Sequence, residues 1–375
     1  MKKKVILLGA GLIGRAIAVD LNNLYDVTVA DVNENALEWL KQNKIKTIKS
    51  SASEKNELQK LVKDFDLVVM ALPGFMAFNV LKNLIECGKD VVDISFFPEN
   101  ALELDALAKK HNVTAIVDIG VAPGISNLVI GYHAERMKVH RFETLVGGLP
   151  VVREFPWEYK APFSPVDVIE EYTRPARYIE NGHLITKPAL TDPEYIHFDG
   201  IGTLEAFNTD GLRSLLFTMK VPNMIERTLR YPKHIEYIKA LKASGFFSDE
   251  EIEVNGNKIK PIDFTSKVLI NKWKFQPKEE EYTVMRVVVE GEKNGKSQKI
   301  TYNLLDRYNK ATDTSSMART TGYTCTGAVR LLLEGIYTQK GISPPEFIGK
   351  DETCFNFILQ HLKERGVDIR KTESK

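Results

Sequence analysis

The chain carries almost no net charge: 51 Lys and Arg stand against 50 Asp and Glu, a formal +1. So even a balance supplies no global attraction to nucleic acid or to an anionic membrane surface, and neither is expected as a partner. Cysteine is scarce. Cys87, Cys325 and Cys354 lie far apart, with no CxxC and no Cys/His ligand spacing. That excludes a disulfide framework and a zinc site by motif, so no metal is expected. Three reduced thiols suit a cytoplasmic protein, an intersubunit disulfide being the other option. Long apolar runs are missing too. No stretch approaches the ~20 residues of a membrane span. Val5–Leu8 is too short for a secretory signal and runs straight into glycines. There is no internal repeat, no low-complexity tract and no nucleophile elbow.

What is present is the composition of a globular protein, 43% apolar and 27% charged. At 375 residues it is too long for one ordinary core, so two domains are the expectation. Residues 3–117 alternate short apolar runs (Lys4–Leu8, Val27–Ala30, Ile45–Ile48, Leu67–Met70, Val91–Ile94, Thr114–Val117) with helical stretches, among them Gly11–Leu24 and Ala36–Lys44. The alternation predicts a parallel sheet wrapped by helices, and strands apolar throughout suit burial on both faces. From about residue 141 the pattern changes. Arg177–Ile185, centred on Asn181-Gly182, reads as a hairpin, as does the segment around Asn255-Gly256. Tyr282–Glu290 and Lys299–Leu305 are long alternating strands joined through Asn294-Gly295. Ser315–Gly335 reads as a helix rich in small residues, and Asp351–Arg365 as a final amphipathic helix.

The first strand runs into Gly9-Ala10-Gly11-Leu12-Ile13-Gly14 and then a helix. This is GxGxxG in the strand–turn–helix context that binds a dinucleotide. Gly9 permits the tight turn, Gly11 lets the backbone approach a pyrophosphate, Gly14 allows close helix–strand packing, and the amides of Leu12 and Ile13 open the helix. Asp31 ends the second strand about 20 residues on. Its carboxylate can accept from both adenosine ribose hydroxyls and would repel a 2′-phosphate, so the expected cofactor is NAD. Ala71-Leu72-Pro73 follows the fourth strand and is expected to border the nicotinamide ribose. Asp93 and Ser95 close the fifth strand, where Asp93 is either a cofactor contact or a turn cap. Asp118 ends the sixth, as an amine ligand or a structural cap.

Beyond these motifs the sequence resembles the saccharopine dehydrogenase superfamily, most closely its lysine 6-dehydrogenase branch. The resemblance is carried by the fingerprint, Ala71–Phe75, Gly120–Asn127, Val146–Pro150, Ser164-Pro165, Glu171–Ala176, Glu205–Phe207, Thr209–Arg213, Thr228–Pro232 and Met317–Gly322. It implies an α/β fold: an N-terminal Rossmann domain over 1–125, an inserted mixed α+β substrate domain over 126–310, and C-terminal helices over 311–375 returning to the first domain. It also implies a homodimer or higher oligomer. The implied reaction is NAD-dependent oxidative deamination of the ε-amine of L-lysine to allysine, which cyclises to piperideine-6-carboxylate, with release of ammonia. A saccharopine or carboxynorspermidine dehydrogenase is the second enzymatic reading, and a non-catalytic NAD(H) sensor the reading of another class. An amino-acid carboxylate wants a guanidinium fork. Arg213, Arg230 and Arg174 are the candidates, each otherwise a salt-bridge residue. Lys160 and Tyr172 fall in the segment resembling the substrate region and, with Asp118, are the candidates for proton transfer, Lys160 being otherwise a solvated lysine. His111, His183 and His197 read as surface histidines, and Trp39, Trp157 and Trp273 as packing.

Overall fold

The computed structural model describes residues 2–374, the side chains of Pro165 and Val166 excepted. A seven-stranded sheet runs in the order Gly341–Ser343, Thr114–Ile116, Val91–Asp93, Leu67–Met70, Lys4–Leu8, Asp26–Asp31, Lys46–Lys49. Every pairing in it is parallel. The apolar strands follow from burial on both faces. Val5, Leu7, Val27 and Val29 meet Ile17, Leu21 and Leu40 on one side. Ile6, Leu8, Val68 and Met70 meet Leu58, Val80 and Leu84 on the other. The strand order reverses between Lys4–Leu8 and Leu67–Met70, which opens a crevice at their carboxyl ends.

The second sheet has nine strands and is mixed. Its centre is Lys138–Pro150, which pairs antiparallel with Glu281–Lys293 and parallel with Asn223–Arg230. Glu281–Lys293 and Lys296–Arg307 form a long hairpin. Its turn residues, Asn294 (φ 53°) and Gly295 (φ 75°), both take the left-handed conformation that a two-residue hairpin loop requires. Ala176–Glu180 and His183–Lys187 form the hairpin expected around Gly182, and Ile252–Val254 with Asn257–Ile259 the one around Gly256.

The chain then returns to the first sheet. Helix Ser316–Leu333 starts from the Ser315 cap, whose hydroxyl accepts from the Ala318 amide at 3.3 Å. It lies against helix Leu12–Asn22, where a Cβ at Gly322 would meet Ile17 Cγ1 at 3.3 Å. Asp20 on that first helix binds Thr326 (2.6 Å) and Arg365 (2.8 Å). Two C-terminal strands are invisible in the sequence. Gly341–Ser343 is three residues long, and Ile369–Ser374, which pairs with Lys296–Arg307, is polar and exposed along most of its length. Among the described residues no helix is long and apolar enough to cross a membrane.

Candidate functional site

A cleft of about 1670 Å³ begins at the glycine bend and continues into the second sheet. At the bend, Gly9 has φ +108° and a Cβ there would strike the Ala71 carbonyl; one at Gly14 would strike the Gly9 carbonyl. Gly11 differs: a Cβ there meets nothing within 4 Å, so the space beside it is open. Gly11 caps helix Leu12–Asn22 without a side-chain bond, which leaves the first helical amides facing the cleft. Asp31 Oδ2 accepts from the Ala10 amide (2.6 Å) and Oδ1 from the Asn33 amide (2.7 Å). Beside it, the Arg15 guanidinium lies 5.1 Å from the Trp39 ring centroid. Open amides and a carboxylate with spare lone pairs fit a dinucleotide.

Gly9, Gly11, Leu12, Ile13, Gly14, Asp31, Ala71, Leu72, Pro73 and Ser95 all border this cleft. Asp93 does not. It is fully buried behind Ser95, accepting from the Ser95 amide at 2.8 Å, while Ser95 Oγ accepts from the Leu72 amide at 3.2 Å. Asp93 therefore acts as the turn cap, fixing the loop that lines the cleft. Burial pushes its carboxyl up to about 7, against the Ser95 hydrogen bonds.

The substrate-side candidates separate in the same way. Asp118 borders the cleft, but its carboxylate is taken by Arg213 (Nη2–Oδ1 2.9 Å, Nε to both oxygens 3.2 Å). Arg213 also donates to the Phe97 carbonyl and lies off the cleft surface. The pair joins the two sheets as a buried clamp, so Arg213 is not a free fork. Tyr172 is likewise off the cleft. It is fully buried, accepting from Arg230 Nε (2.8 Å) and bonded to His234 Nε2 (2.9 Å), in a cluster with Trp273 and Tyr159. Lys160 is buried and neutralised by Glu279, with Glu154 at 3.5 Å. Arg230 reaches the cleft with four of its five N–H groups committed to Tyr172, Leu229, Glu171 and Tyr159. Arg174 also borders the cleft, holding Glu170 and lying 5.4 Å from the Phe96 ring. Its Nε and Nη1 have no partner among the described residues, which makes it the guanidinium open to a carboxylate.

Sequence reasoning did not single out the acidic lining. Asp167, Glu171, Asp210, Glu226 and Glu281 all border the cleft. Burial pushes Glu226 and Glu281 each up to about 8 and Asp167 up to about 6. The structure marks the segment: Asn223–Arg230 is a strand buried from Glu226 onward although four of those five residues are polar or charged. Buried polar residues on a strand mark a site more often than a core. His183 and His197 are exposed, whereas His133, His234 and His361 are buried. Trp273 is fully buried, while Trp39 is partly exposed in the cleft wall. Among the described residues no group of three or more His, Cys, Asp or Glu is placed to hold a metal.

Comparison with known proteins agrees with this architecture. The family profile described as the saccharopine dehydrogenase NADP binding domain matches residues 5–116, and that of the saccharopine dehydrogenase C-terminal domain matches 120–367. The NADP(+)-dependent, L-glutamate-forming saccharopine dehydrogenase of Saccharomyces cerevisiae is 28% identical over 270 residues, 68% of this chain and 60% of that protein. The chain thus spans about 60% of that relative's own length. Carboxyaminopropylagmatine dehydrogenase of Synechocystis is 22% identical over 93% of both chains. The solved apo structure of the yeast saccharopine dehydrogenase superposes with a TM-score of 0.80 at 23% identity, covering 100% of both chains, which establishes the shared fold. The N-terminal sheet is a nucleotide-binding domain, and the chain belongs to the saccharopine dehydrogenase family.

Proposed function

We propose that this chain is an NAD-dependent oxidoreductase that deaminates the ε-amine of L-lysine to allysine, which cyclises to piperideine-6-carboxylate, with release of ammonia. One observation carries the reading: a single cleft joins the open glycine bend to an acidic chamber bordered by Arg174, whose Nε and Nη1 have no partner among the described residues. An acidic chamber suits a substrate that arrives as a cation, and Arg174 suits the α-carboxylate of an amino acid. NAD rather than NADP is favoured by Asp31, whose negative charge opposes a 2′-phosphate. A bound nicotinamide would supply the hydride acceptor for the carbon bearing the nitrogen. The chain's own part is to hold the diphosphate on the amides around Gly11, orient the carboxylate with Arg174, and take up the ammonium proton, since an amine with a free pKa of ~10.4 must be neutral before hydride leaves its carbon. The resulting iminium, R–CH=NH2+, adds water and yields R–CHO and NH4+.

A secondary-amine substrate is the second reading. It is favoured by the reactions named for the yeast and Synechocystis relatives. Following NADH absorbance separates the readings. Lysine and NAD+ alone should produce NADH. Turnover only in reverse, from NADH with an amine and a keto acid or aldehyde, would favour the second. Tight NADH binding without turnover would favour a sensor.

A further inference from the structure

The cleft's acidic side chains are not equivalent. Asp118 is held by Arg213, Asp210 by Arg177 (2.8 and 2.9 Å) and Glu171 by Arg230 (3.1 Å). Glu281 Oε1 accepts from the Met317 amide (3.2 Å), and its Oε2 is sealed from solvent with no partner among the described residues. Asp167, close to Ser164 and Gly74, is pushed up by burial only to about 6. Glu226 has a different environment. It is 7% exposed, and no cation lies within ion-pair distance among the described residues. Oε2 accepts from Thr209 Oγ1 at 2.8 Å, and Thr209 Oγ1 is in turn 2.7 Å from Thr228 Oγ1. Among the described residues Oε1 has no donor, it is not sealed, and the residue borders the cleft. The fold makes room for this carboxylate at one point: a Cβ on Gly211 would strike it. Two residues beyond Gly211, Arg213 pairs with Asp118 just past the strand Thr114–Ile116, so the segment carrying Gly211 reaches the carboxyl edge of the nucleotide-binding sheet.

We propose that Glu226 receives the substrate nitrogen and removes its proton, with Thr209 fixing the carboxylate and Gly211 leaving it space. This rests on the reading that the substrate is an amine. The step balances as R–CH2–NH3+ + Glu226–COO− → R–CH2–NH2 + Glu226–COOH, which leaves the amine neutral, as hydride loss from its carbon would require. A carboxylate without a partner cation in a dry wall is costly to ionise, and an alkyl ammonium supplies the missing charge. The match of acidities supports the assignment. With Glu226 pushed up to about 8 by burial, proton transfer from an amine of ~10.4 is uphill by ~2.4 pH units, against ~6 for an ordinary glutamate near 4.3. The gap is therefore narrower than for an ordinary glutamate.

The test compares wild type, Glu226→Gln and Gly211→Ala by NADH formation with L-lysine from pH 7 to 11, alongside NADH binding by fluorescence. Glu226→Gln should bind NADH like wild type, lose at least ~100-fold in kcat/KM at pH 8, and recover about tenfold per pH unit as the amine loses its proton in solution. Gly211→Ala keeps the carboxylate and displaces it, so it should show a smaller loss with the same pH slope. A loss equal at every pH would assign Glu226 a merely structural role and overturn the proposal, as would wild-type activity in Glu226→Gln. If wild type oxidises a different amine and not lysine, the lysine reading fails alone, and the same comparison decides Glu226 with that amine. A wild type that binds NADH and oxidises no amine overturns both.

Discussion

Breaking the Asp118–Arg213 clamp is expected to cost more stability than any surface substitution. Both side chains are 5% exposed, and Arg213 engages Asp118 through Nε and Nη2. Both residues also hold left-handed backbone, φ 54° each, at the junction of the two sheets. Asp118→Asn leaves a buried guanidinium without its counter-charge, and Arg213→Met leaves a buried carboxylate. Each should destabilise by ~3–5 kcal/mol. Unfolding entropy of ~2.1 cal/mol/K per residue gives roughly 0.8 kcal/mol/K for this chain. The expected fall in Tm is then ~4–6 °C for either variant. The double variant removes both charges, so it should be less damaging than the sum of the singles by at least ~2 kcal/mol. Urea denaturation of the four proteins at pH 7.5 measures this. Strict additivity, or single variants within ~1 kcal/mol of wild type, would refute the claim that the pair is a desolvated clamp.

Three further outcomes follow from the geometry. Gly11→Leu should leave Tm unchanged, because a Cβ there meets nothing within 4 Å, yet abolish NADH binding by filling the diphosphate space; fluorescence titration beside a melting curve checks both. Asp31→Ser should weaken NAD+ at least ~10-fold through lost charged hydrogen bonds and narrow the preference over NADP+; unchanged affinity would remove the argument for cofactor choice. Asp93, raised to about 7 by burial, binds its proton more tightly folded than unfolded. Its contribution is present in full below pH ~4 and is lost as pH rises through 7. Asp93→Asn should therefore gain roughly 2–3 kcal/mol relative to wild type between pH 5 and pH 8, read from paired urea curves; a gap independent of pH would contradict the burial argument.

The parallel sheet was legible because its chemistry is local. A doubly buried strand must be apolar throughout, as Val5–Leu8 and Leu67–Met70 are, and a dinucleotide bend needs glycine at fixed offsets. The long hairpin was legible through Asn294-Gly295 for the same reason. The substrate end was not, because it is made by pairing across distance. Arg213 looks like a free fork until Asp118, 95 residues away, occupies it. Tyr172 looks catalytic until Arg230 and His234 enclose it. Glu226 gives no motif at all, since its setting comes from Thr209 and Gly211 on another segment. The strands Gly341–Ser343 and Ile369–Ser374 were missed because pairing with existing sheets, rather than their own pattern, makes them strands.

Every proposed step requires a dinucleotide seated at the first glycine bend. Isothermal titration of NADH into the wild-type chain tests that directly. One molecule should bind per chain, and the heat should vanish in Gly11→Leu at equal Tm. No heat from folded wild type, or undiminished heat in the variant, would contradict the account.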